Sequence, residues 1–217
     1  MPEPIAIPDL IRFLDLLGVL ANGLLGGAVA RRFRLDPVGF VVLAIISALG
    51  GGAIRDVLLN LRPVALTDLS YLVVALSAAL IAFLVPLEGR RWRRWFPTVD
   101  AVALGTWAVV GTQKALLHNV HWLPAILLGV LTACGGGAVR DMMLGRVPVI
   151  LQRSELYATA AFVSGATLVV LTELLPGPIA SIGGVLTGGV LCLVARLRGW
   201  TLPVDTRWTA GHDPDGD

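Results

Sequence analysis

The 217-residue chain is 56% apolar and only 15% charged, with a mean hydropathy of +0.80, whereas a soluble domain carries about 25% charged residues. That balance excludes a soluble globule. The net charge of +2 is small, and the basic residues gather in a few short connections, a pattern that orients membrane proteins and argues against nucleic acid as a partner.

Apolar runs bounded by charge, Pro or turn residues fall at 10–30, 38–59, 68–87, 98–117, 123–144, 154–175 and 179–197, each near the roughly 20 residues that cross about 30 Å of hydrocarbon. The expected fold is an all-α membrane protein of seven transmembrane helices, forming one membrane domain over 1–217. The segment 1–10 has no basic stretch ahead of its apolar residues, so no removable signal peptide is expected. Between the runs lie RRFRLDP (31–37), NLRPVALT (60–67), EGRRWRRWFP (88–97), HNVHW (118–122), GRVPVILQR (145–153) and the Pro-Gly-Pro of 176–178. Backbone groups facing lipid must be satisfied within their own segment, which leaves a helical bundle as the architecture.

Orientation follows from Lys and Arg on alternate sides. Arg31, Arg32, Arg34, Arg90, Arg91, Arg93, Arg94, Arg146, Arg153, Arg196, Arg198 and Arg207 fall on one side, and only Arg12, Arg62 and Lys114 on the other. The positive-inside rule places the C-terminus in the cytoplasm and the N-terminus outside. Trp92 and Trp95 among the arginines suit the headgroup layer, where the segment serves as a topology anchor against membrane lipids.

An internal repeat stands out. Gly-Gly-Gly-Ala-Ile-Arg-Asp at 50–56 returns as Gly-Gly-Gly-Ala-Val-Arg-Asp at 135–141, an offset of 85. The same offset carries Asp15 onto Asp100 and Pro63 onto Pro148, and one further residue brings Tyr71 onto Tyr157. Duplication of a three-span unit follows, with repeats at 10–87 and 98–175 and a seventh helix at 179–198. Three spans per unit make the second enter from the opposite side, so the repeats are inverted; such architectures put pathways at the repeat interface near the midplane.

Each glycine lowers helix propensity by roughly 1 kcal/mol relative to Ala, so a kink or break is expected at Gly50, Gly51 and Gly52 and at Gly135, Gly136 and Gly137. Close packing of neighbouring helices is the alternative use of such small residues. Arg55, Asp56, Arg140 and Asp141 lie within about a turn of the glycines, at depths where an unpaired charge costs at least about 2.5–3.5 kcal/mol. Neighbouring residues on a helix point about 100° apart, so Arg55 and Asp56 are not expected to neutralise one another. The expected pairs are Arg55 with Asp15 and Arg140 with Asp100, one per repeat, with Lys114 as partner for Asp56. Ser47 and Thr132, each three residues before a triplet, are the hydroxyls expected to line a pathway; the other intramembrane polar groups read as helix contacts. Cys134 and Cys192 have no metal or redox spacing, His118 and His121 read as solvated, and with no nucleotide loop, zinc motif or nucleophile triad neither an enzyme nor a cofactor is expected.

The doubled Gly-Gly-Gly-x-x-Arg-Asp followed by Pro63 and Pro148 resembles the prokaryotic branch of the trimeric intracellular cation channel (TRIC) family, over about 10–198. The resemblance implies a homotrimer with an ion pathway inside each protomer, lined by kinked second and fifth helices and passing monovalent cations, K+ or Na+, in a bacterial or archaeal plasma membrane. Animal members carry a lipid-binding Lys-Glu-Val where this chain has Gly-Gly-Ala-Ile-Arg-Asp. Related bacterial sequences are also labelled glycine transporters, so the alternative is a secondary transporter of a small solute such as glycine.

Overall fold

The computed structural model describes residues 6–85, 87, 89–152 and 156–202. Arg153 and Arg207 of the orientation argument lie outside the described residues, as do the side chains of Arg91 and Arg93. In chain order the helices are α1 (Ala6–Arg32), α2 (Pro37–Leu58), the short α3 (Val64–Thr67), α4 (Leu69–Leu84), α5 (Gly89–Leu117), α6 (Trp122–Met143), α7 (Tyr157–Thr172) and α8 (Gly177–Arg198), with one 3-10 turn at Val149–Leu151. Within α1 the stretch Arg12–Arg32, together with α2, α6 and α8, is long and apolar enough to cross a membrane. The apolar helices α4 and α7 have 16 residues each, about 24 Å at 1.5 Å per residue. They are shorter than the runs 68–87 and 154–175 suggested. Conversely, α5 runs back from 98 through Pro97 and the arginine segment to Gly89, so most of the expected connection 88–97 is helix.

Local chemistry sets the ends of the two motif helices. Asp36 caps α2 by accepting from the Gly39 N–H at 2.7 Å, and Pro37, without an N–H to satisfy, fits the first turn. At the other end Asn60 takes a left-handed φ of 56°, and the Leu61 N–H returns to the Asp56 carbonyl at 2.8 Å. Gly145 does the same after α6 with φ 67°, and the Arg146 N–H reaches the Asp141 carbonyl at 2.9 Å. A left-handed residue closing a helix turns the chain sharply back. Pro63 and Pro148 then follow at matching places and start α3 and the 3-10 turn.

The bundle packs on small residues. Ala75, Ala78, Ala79 and Ala82 give α4 a buried alanine face, and Gly26 lies so close to Ala44 and Ser47 that a β-carbon there would collide with the Ser47 side chain. Close approach of this kind gains dispersion contacts where lipid offers no hydrophobic driving force. At the centre α2 meets α6 antiparallel: a β-carbon on Gly51 would strike the Thr132 carbonyl, and one on Gly136 the Ser47 carbonyl. Of the kink or break expected at the triplets, the break is absent. Both helices are continuous through 50–52 and 135–137, because the glycines serve the alternative role of bringing two backbones into contact, which compensates their low propensity.

Candidate functional site

Since α2 and α6 cross antiparallel at their glycines, their C-terminal ends carry Arg55–Asp56 and Arg140–Asp141 to opposite ends of the bundle. Each end gathers a cluster of charge. In the first half, Arg55 Nε donates to Asp56 Oδ1 at 2.8 Å, and Lys114 Nζ from α5 joins the same oxygen at 2.8 Å. The other oxygen, Oδ2, accepts the Val64 N–H at 3.0 Å, a donor delivered by the turn after Asn60. Asp15 on α1 accepts from the Tyr71 hydroxyl of α4 at 2.9 Å. The second half repeats the plan: Arg140 Nη2 donates to Asp141 Oδ1 at 2.9 Å, the Val149 N–H to Asp141 Oδ2 at 3.3 Å, and the Tyr157 hydroxyl to Asp100 Oδ1 at 2.9 Å. Arg196 from α8 completes it by pairing with Asp100 Oδ2 at 3.0 Å.

Two expected pairs are therefore corrected. Arg55 does not bridge Asp15, and Arg140 does not bridge Asp100; each arginine pairs with the aspartate next to it. The 100° argument fails because a guanidinium on a long stem can fold back along the helix end, while the aspartate is held by an N–H from the following turn. Lys114 meets Asp56 as expected. Each cluster holds two carboxylates and two cations among the described residues, so each is formally neutral. That balance is what buried charge requires, since stripping one partner from a buried pair costs about 3–5 kcal/mol. Tyr71 and Tyr157 entered the sequence analysis only as markers of the repeat, and Arg196 only as a topology charge. The offset gave no signal for Arg196, which lies beyond the second repeat; the counterpart of Lys114 in the first is Val29.

The two clusters differ in their space. A cavity of about 140 Å³ opens beside the second, bounded by Asn22, Asp100, Cys134, Gly137, Arg140, Asp141, Tyr157 and Arg196. Asp141 and Val149 are shared with a broader recess that reaches Arg146 and Gln152. The matching space in the first half, between Asp15, Leu49, Gly52, Arg55, Tyr71 and Trp107, is only about 10 Å³, barely room for one water. Of the six triplet glycines only Gly52 and Gly137 reach these cavities; Gly50, Gly51, Gly135 and Gly136 are at the helix crossing. Ser47 and Thr132 are not among the lining residues. Ser47 is buried against α1, and Thr132 donates back to the Leu128 carbonyl at 2.7 Å. Their shared position before the triplets reflects the crossing.

Apolar helices of spanning length around buried, balanced charges define a polytopic all-α membrane protein. The chain belongs to the glycine transporter family, the bacterial family of TRIC proteins, whose model matches residues 12–86 and again 97–173. A UPF0126 membrane protein of Vibrio cholerae is 37% identical over 159 residues, 72% of this chain and 66% of that protein. The UPF0126 inner membrane protein YadS of Escherichia coli is 37% identical over 158 residues, 72% of this chain and 76% of its own. The structure of the TRIC trimeric intracellular cation channel orthologue from Rhodobacter sphaeroides superposes with a TM-score of 0.81 at 32% identity, covering 88% of this chain and 98% of that one.

Proposed function

We propose that the chain is a monovalent cation channel of the inner membrane, permeable to K+ and Na+, with one pathway in each protomer of a homotrimer. Seven spans carry it, as inverted repeats over 10–87 and 98–175 plus the helix at 179–198, with the N-terminus outside and the C-terminus in the cytoplasm. The observation that carries the reading is the pair of neutral charge clusters at opposite ends of the α2–α6 crossing. Two like unit charges about 4 Å apart repel by roughly 4 kcal/mol at an effective dielectric constant near 20, so an unpaired arginine would bar a cation. Here Arg55 and Arg140 are each matched by a carboxylate within 3.0 Å, which removes that barrier and leaves carboxylate and tyrosine oxygens to face the cavities. The likeness to the Rhodobacter sphaeroides cation channel supports the same reading, and the name of the Escherichia coli relative supports the location.

The family's own description favours a second reading, a carrier for a small solute such as glycine. Purified protein in planar bilayers separates the two. A channel gives unitary current steps in symmetrical KCl and, under a KCl gradient, a reversal potential near that of the cation. Silent bilayers together with saturable glycine counterflow in liposomes would establish the carrier instead. Chemical cross-linking of the detergent-solubilised protein is expected to stop at three chains; a ladder ending at two would overturn the trimer.

A further inference from the structure

The two cavities have walls that match residue for residue at the repeat offset: Asp15 with Asp100, Ala48 with Ala133, Gly52 with Gly137, Ala53 with Ala138, Arg55 with Arg140. Their volumes nevertheless differ, about 10 against about 140 Å³. The difference traces to positions where the match fails. Leu49 stands where the second half has Cys134, and Trp107 on α5 stands where α1 presents the smaller Asn22 to the larger cavity. The indole of Trp107 lies directly on Gly18 of α1: a β-carbon there would come within 2.7 Å of Cδ1 and Cε2 and would collide with Nε1. Exposure follows the same asymmetry, with the Arg55 side chain 1% accessible and the Arg140 side chain 14%. The indole N–H is buried and finds no acceptor among the described residues. A buried donor without a partner has no hydrogen bond to its place, so packing alone holds the indole in the space it fills.

We infer that Trp107, seated on Gly18 beside Leu49, is a plug that closes the first-half end of the pathway, while the second-half end stands open. Its consequence for flux rests on the channel reading; its consequence for access does not. Withdrawal of the indole would turn the smaller cavity into the counterpart of the larger and join the two ends.

The chain carries its own reporter of this asymmetry, because Cys134 lines the open cavity and Leu49→Cys puts a thiol at the matching place in the closed one. Full-length protein in liposomes is treated with a charged methanethiosulfonate applied from either side, Leu49→Cys being studied with Cys134→Ala and Cys192→Ala. Cys134 is expected to react from one side at least about tenfold faster than Leu49→Cys reacts from the other, since thiol reactivity follows access. Adding Trp107→Val should raise the Leu49→Cys rate by about tenfold or more, and Trp107→Phe should leave it slow. Gly18→Ala, whose β-carbon displaces the indole without altering it, should raise the rate as well, which guards against a Trp107 variant that fails to fold. Equal rates for Cys134 and Leu49→Cys with Trp107 in place would overturn the plug. So would a rate unmoved by both Trp107→Val and Gly18→Ala in protein that melts cooperatively. Potassium efflux measured alongside should rise with access; access gained without efflux would keep the plug and refute the channel.

Discussion

At the scale of single residues, the interest lies in which charge answers which. Asp100 has its salt bridge with Arg196 and a hydrogen bond from Tyr157, while Arg140 is occupied by Asp141. A double-mutant cycle on thermal stability should therefore give a coupling of about 0.5–3 kcal/mol for Asp100→Asn with Arg196→Gln, the range for residues in direct contact. The cycle of Asp100→Asn with Arg140→Gln should give a smaller value; the reverse order would return the pairing to the one expected from sequence. Tyr71→Phe and Tyr157→Phe each delete one hydrogen bond to a carboxylate, worth about 1.5–3 kcal/mol, and should lower the unfolding free energy by that amount. The identity of the charged residues was legible from sequence because charge inside an apolar run is expensive and has to be explained. So was the partner of Lys114, but the partners of the two arginines were not, since the choice between Asp15 and Asp56 for Arg55 depends on how a long side chain folds and on the N–H of Val64, a donor supplied eight residues away.

At the scale of elements, the glycine triplets turn out to be contact surfaces within unbroken helices. The sequence marked both places and their equivalence but left two uses open, a kink or break on one hand and a close approach on the other, because glycine's low propensity and its lack of a side chain predict both. The geometry separates the three glycines of each triplet. Gly51→Ala would drive a methyl into the Thr132 carbonyl and Gly136→Ala into that of Ser47, and neither backbone has room to retreat. Each should destabilise the protein by about 1–3 kcal/mol or more, as overpacking does. At Gly52 and Gly137 the nearest atom to an added β-carbon is a guanidinium nitrogen at 3.7 Å, on Arg55 and Arg140. That is ordinary contact, so Gly52→Ala and Gly137→Ala should fold with at most a small loss. They line the cavities, however, and Gly137→Ala should reduce potassium flux without a matching fall in melting temperature. Thermal melts of the four variants check the contrast; equal losses at positions 51 and 52 would show that the crossing does not set the requirement for glycine.

At the scale of the whole molecule, the seventh long helix acquires a reason. Each half needs a cation from outside its own three helices: α5 brings Lys114 to the first, and α8 brings Arg196 to the second. Without α8 the second cluster would hold two carboxylates and one guanidinium, an excess negative charge with no partner at the helix ends. The helices and the duplication could be read from apolar runs and an offset of 85. This borrowing could not, because it depends on which helix lies beside which half. If the clusters stand in series on one pathway, neutralising the borrowed cation at either end leaves a local excess negative charge at that end alone. A charge about 10 Å from an ion in water-like surroundings shifts its energy by roughly 0.4 kcal/mol, about a factor of two in rate. Lys114→Gln and Arg196→Gln should therefore ease cation entry from opposite sides, and their current–voltage curves in symmetrical KCl should rectify in opposite senses by about that factor. Screening predicts that both effects shrink as KCl is raised from about 0.1 to 1 M, where the Debye length falls from about 10 to 3 Å. Rectification of the same sense in both variants would mean that Lys114 and Arg196 do not stand at the two ends of a common path, and the pairing of the halves into one conduit would have to be abandoned.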